Sequence, residues 1–457
     1  MHATSRAGSE HMTADETLSR ITILRGQTLA FRDDPCKVGP DAAVDFNSDG
    51  GVAIAGGKIV AVGQALDVIA RHPDALLETY PDHLIMAGFI DSHVHYPQID
   101  IIASWGEQLL QWLNRYTYPA EAKCADRAHA EATAHRFLDE CLRNGITTAS
   151  VYCSAHPTSV DAFCAAAQSR AFCMAAGKVM MDCNAPDAVK DTAQSGYEQS
   201  KALIARWHGV DRLTYAVTPR FAVTSSPAQL EAAGALWREH PTALMQTHLS
   251  EHPSEIAWVK ELHPGAPDYL GIYEQHGLLG RGANFGHAIH LTARERSRLR
   301  ETGAGLSHCP TSNLFIGSGL FDLRAAREGD APIPVGLATD VGGGSSFSMF
   351  ATMKAAYEVS QLKGYSLHPA DAFHLATVGS ADVLQLGHRV GNLAPGFDAD
   401  IVVLDLRSRP LLAQRMQQAD SLWDALFLQM ILADDRAVRA TFVAGRKVYE
   451  RPIAACG

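Results

Sequence analysis

The stretch IMAGFIDSHVHYPQID, residues 85–100, decides how the chain is read. An apolar run with a glycine at 88 leads into Asp91-Ser92-His93-Val94-His95. Successive side chains on a strand alternate faces, so His93 and His95 project to one side at a strand's C-terminal end. Two imidazoles side by side are half of a divalent-metal site. The pair alone is a weak signal, because histidines fall two apart by chance on many surfaces. The missing ligands have to come from elsewhere in the chain.

Outward from this stretch, residues 86–390 alternate apolar strand-like runs with amphipathic pieces such as AEATAHRFLDECLRN (130–144) and SPAQLEAAGALWREH (226–240). The strand candidates are LIMAGFIDSHVH (84–95), GITTASVY (145–152), AFCMAAGKVMMD (171–182), LTYAVTPRFA (213–222), ALMQTHLSE (243–251), NFGHAIHL (284–291), GAGLSHCPTSN (303–313) and PVGLATDVGGG (334–344). Eight strand–helix units predict an α/β fold, a (β/α)8 TIM-like barrel. Short β-like runs with glycine turns lie on either side: ITILRGQTLAF (21–31) and GVAIAGGKIVAVG (51–63), then ADIVVLDL (399–406) and VRATFVAGRKVYER (438–451). They predict a small β-sandwich domain assembled from residues 19–85 and 391–457. Residues 1–18 are polar and aperiodic and read as a disordered leader.

Barrel chemistry gathers where strands end in loops. Strand one ends in His93 and His95, strand four in Arg220, strand five in His248 with Glu251, strand six in His287 and strand eight in Asp340. Singly, each has an ordinary explanation: a core histidine, a solvated acid, a turn cap. Together they close the strands in the order that an open site of three histidines and a carboxylate requires. Zinc in such a site lowers the pKa of bound water to about 7.

Composition narrows the function classes. The 457-residue chain is 47% hydrophobic and 19% charged, with a net charge of −11 and no basic stripe, which argues against nucleic acid or an anionic membrane as partner. No apolar run reaches the roughly 18 residues of a membrane span. Nine scattered cysteines without a CxxC pair fit reduced thiols in a cytoplasmic protein, and Cys309 reads as packing.

The HxH after strand one, the histidines on strands five and six and the aspartate on strand eight resemble the amidohydrolase superfamily, whose members pair a (β/α)8 barrel with a small β domain. Two-metal members carry a carboxylated lysine at the end of strand four. This chain has TPRFA there, and Lys178 lies on strand three, so the resemblance implies one metal. The segments HVHYPQIDIIASWGEQLLQWLNRYTYPAE, GKVMMDCNAPD, TPRFAVTSSPAQL, THLSEHPSEIAWVK, HCPTSNLFIGSGLFDL and DDRAVRATFVAGRKVYE resemble the guanine deaminase branch. One departure is ATDVGGGSSFSMF after strand eight, whose three glycines predict a looser loop with the same chemistry.

That resemblance implies deamination of guanine to xanthine and ammonia. His93, His95, His248 and Asp340 would hold one zinc ion per subunit, although iron(II) binds similar sets. Asp340 would take the proton of the attacking water, His287 would hydrogen-bond that water, and Glu251 would shuttle a proton to the ring and the leaving amine. An arginine fork fits the O6/N7 edge of guanine, which points to Arg220. Gln98 offers a donor and an acceptor to the ring edge, Phe221 a stacking face, and Trp105 or Trp112 a pocket wall. An arginine in that place also suits a carboxylate partner, and Phe221 and Trp112 also suit ordinary core. Ser312 and Asn313 are expected to order the strand-seven loop rather than touch substrate. The partners implied are a small purine base and a second copy of the chain, with LWDALFLQMIL (422–432) as a candidate contact helix. The competing readings are another mononuclear amidohydrolase, of the cytosine deaminase or chlorohydrolase kind, and a non-catalytic scaffold on the same fold.

Overall fold

The computed structural model describes residues 20–452 apart from residue 330. The expected leader therefore lies outside the described residues. Eight parallel strands form the barrel in chain order. Strands β1 (Thr22–Phe31), β2 (Val44–Ala55), β3 (Lys58–Gln64) and β4 (Leu76–Ala87) precede it. The barrel strands are β5 (Phe89–His95), β6 (Ile146–Tyr152), β7 (Cys173–Gly177), β9 (Leu213–Pro219), β10 (Leu244–Leu249), β11 (Ala283–His287), β12 (Gly305–His308) and β13 (Val335–Leu337), with β8 (Val179–Met180) a short addition on β9. Helices follow the strands, among them Arg127–Arg143, Pro157–Ser169, Ala193–Trp207, Pro227–Glu239, Ala293–Thr302 and Met349–Leu362. Several start on side-chain caps that satisfy otherwise unpaired N–H groups: Asp126 accepts from His129 N, Ser226 from Gln229 N, and Thr292 and Glu295 cap reciprocally.

The chain ends build a second sheet of seven strands, in the order β16 (Arg446–Glu450), β15 (Val438–Val443), β14 (Ile401–Asp405), β4, β1, β2, β3. Strand alternation divides its two faces. Leu84 and Met86 of β4 and Val402 and Leu404 of β14 join the barrel's core. Ile85, Ile401 and Val403 instead pack with Leu24, Ile54 and Phe442 in a core of their own. The sheet curls so that its ends meet: a Cβ on Gly445 would lie 2.8 Å from the Ile54 side chain and 3.2 Å from Gly57 Cα.

Polar side chains knit the barrel interior. Ser307 Oγ donates to Ser92 Oγ at 2.7 Å and Asn284 Nδ2 to Ser92 O at 2.7 Å. Nearby, Ser150 Oγ donates to Gln246 Oε1 at 2.7 Å. The first and last strands meet through Asp91, whose carboxylate accepts from Thr339 N at 3.0 Å and from Thr339 Oγ1, and through Asp340 N donating to His93 O at 3.0 Å. Among the described residues no helix is long and apolar enough to cross a membrane.

An ion cluster ties the sheet to the barrel. Arg212, just before β9, pairs with Asp398 at 3.1 Å and with Asp400, and donates to Ala171 O at 2.6 Å. Asp400 is buried, and burial pushes its carboxyl upward against the pull of Arg212. Removing the cation strands a buried charge, so Arg212→Ala is expected to cost about 3–5 kcal/mol of stability near neutral pH. The loss shrinks in acid, where Asp400 takes up a proton; denaturant midpoints at two pH values check both parts.

Candidate active site

The two histidines of β5 are fully buried at the barrel's C-terminal end. Their rings converge on His248, from the end of β10: His95 Nε2 and His248 Nε2 stand 3.2 Å apart. His248 Nδ1 lies 2.7 Å from Arg220 O, a carbonyl that can only accept, so Nδ1 carries the proton and Nε2 keeps its lone pair. Asp340 Oδ1 lies 3.6 Å from His93 Nε2 and 3.5 Å from His95 Nε2. Ligand atoms of His93, His95 and His248 all fall within 4.8 Å of one another. Both ring nitrogens of His93 and Nδ1 of His95 are buried without a hydrogen-bond partner among the described residues. Buried polar atoms without partners are costly, and lone pairs facing one another repel. A divalent cation resolves both, so the donor set fits a metal.

The electrostatics agree. Burial, then the neighbouring imidazoles, hold His93, His95 and His248 well below the ordinary histidine range, as neutral ligands. Burial pushes Asp340 up to about 7, and a dication against its carboxylate would pull that value down.

His287 ends β11 and reaches the same point from the far side. Its Nε2 lies 3.6 Å from Glu251 Oε2 and 3.7 Å from Asp340 Oδ2. Asn313 Oδ1, 2.8 Å away, fixes the other ring nitrogen, which gives this residue of the helical turn after strand seven a definite orienting task. Glu251 comes three residues after His248, a spacing that on a regular strand puts side chains on opposite faces. Ser250 turns through the left-handed region at φ 48°, and so both side chains face one pocket. His287 (φ 65°) and Asp340 (φ 47°) adopt the same uncommon backbone, a form of strain that gathers at functional sites. Burial pushes the Glu251 carboxyl up to about 7, against a hydrogen bond from Ser318 Oγ at 3.1 Å. Glu255 accepts from the Glu251 main-chain N–H at 2.9 Å.

Gln98, Arg220 and Phe221 line the pocket with these groups, and the wall is made by Trp112, Leu113 and Thr117. Trp105 does not take part. It is 82% exposed and outside the lining, because the segment after Ile101 runs over the surface before the helical turn at Leu109–Trp112 carries Trp112 inward. A π-helical turn at Leu113–Thr117 follows, and the Thr117 hydroxyl is buried at the pocket without a partner among the described residues. The glycines after β13 also differ from expectation. Gly342, at φ 118°, has no room for a side chain, since its Cβ would sit 2.1 Å from Gln98 Oε1; a Cβ on Gly344 would sit 1.8 Å from Thr339 O. Three glycines here permit close packing rather than looseness.

Some site residues were not legible in the sequence. Glu121 is fully buried and accepts from both Gln98 and Arg220. Nothing in YTYPAE marks it, because its partners lie on other elements. Ser318 and Glu255 escaped for the same reason. Lys178 is bound to Asp191 and Val179 O. Cys309 Sγ sits near His93, His287 and Asp340, but burial keeps the thiol protonated and it donates to Ser307 O.

With this geometry in hand, the comparisons with known proteins are specific. Residues 84–448 match the model of the amidohydrolase family. Guanine deaminase of Escherichia coli K12 is 46% identical over 441 residues, covering 96% of this chain and all of that one. The solved structure of the E. coli guanine deaminase superposes with a TM-score of 0.92, at 44% identity over 94% of this chain and all of that one. A guanine deaminase from C. acetobutylicum, solved with guanine bound in its active site, gives a TM-score of 0.85 at 26% identity, covering 94% of this chain and 100% of that one. Family model, identity along nearly the whole chain and superposition agree: the protein belongs to the amidohydrolase family, in the branch of the guanine deaminases.

Proposed function

We propose that this enzyme hydrolyses guanine to xanthine and ammonia. The observation that carries the reading is one pocket in which three converging imidazoles and Asp340 lie beside the buried acid Glu251 and the polar groups of Gln98 and Arg220. The similarity to guanine deaminases over nearly the whole chain supports the choice of base. His93, His95, His248 and Asp340 would hold one divalent ion, with zinc suited to a histidine–carboxylate set. Such an ion supplies Lewis acidity that brings the pKa of water to about 7.

The chain's own groups divide the remaining work. Asp340 accepts the proton of the attacking water, and His287, oriented by Asn313, hydrogen-bonds that water. Glu251, protonated near neutrality by burial, gives its proton to a ring nitrogen, which makes C2 more electrophilic. As the C2=O bond forms and the C2–N bond breaks, the proton held by Asp340 passes to the departing amine, which leaves as ammonia, and the hydroxyl proton of the adduct restores Glu251. Arg220 donates to O6 and Gln98 meets the adjoining ring edge, so a 6-amino purine faces mismatched donors. Phe221, half edge-on to His248 at 6.4 Å and 63°, offers its ring to the base.

We further propose a cytoplasmic homodimer. The eight described cysteines are unpaired, which suits a reducing compartment. The helix Leu422–Leu432 is apolar apart from Asp424 and Gln429, yet only Leu426, Gln429 and Met430 are buried. Ala425, Leu428 and Leu432 share an outward face at i, i+3 and i+7.

Ammonia release from guanine, adenine, cytosine and guanosine by zinc-loaded protein tests the function. Release from guanine alone is expected, with loss on chelation; release from another base instead refutes the pocket reading. Glu251→Gln is expected to cut turnover by at least about 10²–10⁴-fold with metal content unchanged. Near-normal turnover in that variant removes Glu251 from the proton path. Light scattering of Leu428→Glu is expected to show the mass of a single chain where the parent shows two; an unchanged mass excludes this helix as the contact.

A further inference from the structure

Glu121 lies on the short helix Tyr118–Ala122, directly after the π-helical turn, and has no solvent exposure. Its Oε1 accepts from Gln98 Nε2 at 2.9 Å and from Arg220 Nη1 at 2.8 Å, and its Oε2 from the same Nη1 at 2.7 Å. Tyr118, from the same turn, lays its ring 5.5 Å from the guanidinium carbon. One carboxylate thus holds both polar side chains that face the pocket beside the ligand cluster.

The chemistry of that carboxylate settles which way Gln98 points. Paired with a guanidinium, a carboxylate only accepts. The amide must therefore turn its NH2 to Glu121 and its carbonyl away. Gly342 leaves space for that oxygen, which any side chain there would displace. With Nη1 engaged, Arg220 keeps Nε and Nη2 as donors with no protein acceptor among the described residues. The pocket is left with a carbonyl acceptor beside guanidinium donors.

We propose that Glu121 sets the donor–acceptor polarity of the base-reading edge, presenting Gln98 as an acceptor and Arg220 as a donor to a ring lactam. The complement is an N–H next to a C=O, as at N1 and C6 of a 6-oxopurine. A 6-aminopurine offers a bare nitrogen and an amine there, and meets like against like at both positions. Glu121 is a positioning residue, since it acts through Gln98 and Arg220. This inference rests on the reading that those two side chains face the base.

The test compares the zinc enzyme with Glu121→Gln and Arg220→Ala, measuring KM for guanine, the inhibition constant of 2,6-diaminopurine, and metal content. Glu121→Gln frees the Gln98 amide to turn. Guanine KM is expected to rise roughly 10–100-fold, the range of one lost charge-assisted hydrogen bond, with diaminopurine inhibition little changed and metal retained. Parallel weakening of both ligands makes Glu121 a merely structural residue and overturns the proposal, as does an unchanged KM. If the glutamine variant does not fold, Glu121→Asp keeps the charge but retracts it by one methylene. It is expected to raise guanine KM by a smaller factor, again without a parallel change for diaminopurine, and a parent-like KM overturns the proposal. Arg220→Ala separates the two levels. An unchanged guanine KM there refutes the base-edge reading and this proposal together, whereas a raised KM with Glu121→Gln unaffected refutes only the role of Glu121.

Discussion

The seam between the first and last barrel strands is the constraint on which the site depends. Asp91 spans it, accepting from the main chain and hydroxyl of Thr339, while Asp340 N donates back to His93 O. The histidine pair that begins two residues after Asp91 and a carboxylate one residue after Thr339 are thereby held in register across the closing point of the barrel. Ser92 Oγ, donating to Leu337 O at 3.0 Å, adds a third tie between them. The buried hydrogen bonds at this seam are expensive to leave unmade, so the geometry of the ligands is carried by the same bonds that close the fold.

Above that seam, burial does most of the electrostatic work. It keeps the imidazoles neutral, which is the form that binds a cation, and it raises Glu251 to where a carboxylic acid can carry a proton near neutral pH. Arg220 stays charged in the same surroundings because Glu121 is beside it. The pocket thus combines neutral imidazoles, a protonatable acid and a compensated cation. Each state follows from its partner and its depth, not from the residue type alone.

Much of this was legible along the chain. Apolar runs separated by amphipathic stretches marked the barrel strands, and the polar residues closing several of them marked the face where the chemistry lies, because a barrel brings all strand ends to one rim. His93, His95, His248, Glu251, His287 and Asp340 do gather there. Reasoning along the chain failed where contacts skip between elements or where the backbone leaves its period. Trp105 and Trp112 are alike in the sequence, yet one is exposed and the other buried, a choice made by the path of the loop between them. The glycines after β13 looked like freedom and are close packing against Gln98 and Thr339.

The sequence by itself determined the barrel, the second sheet from the chain ends and the candidate ligand set, because alternation, strand order and residue chemistry are local properties that survive without coordinates. Tertiary structure alone decided which groups touch. The left-handed turn at Ser250 puts Glu251 on the side of His248, and a buried glutamate between Gln98 and Arg220 orients both. Those outcomes depend on distances between residues far apart in the chain, and only the packed core sets such distances.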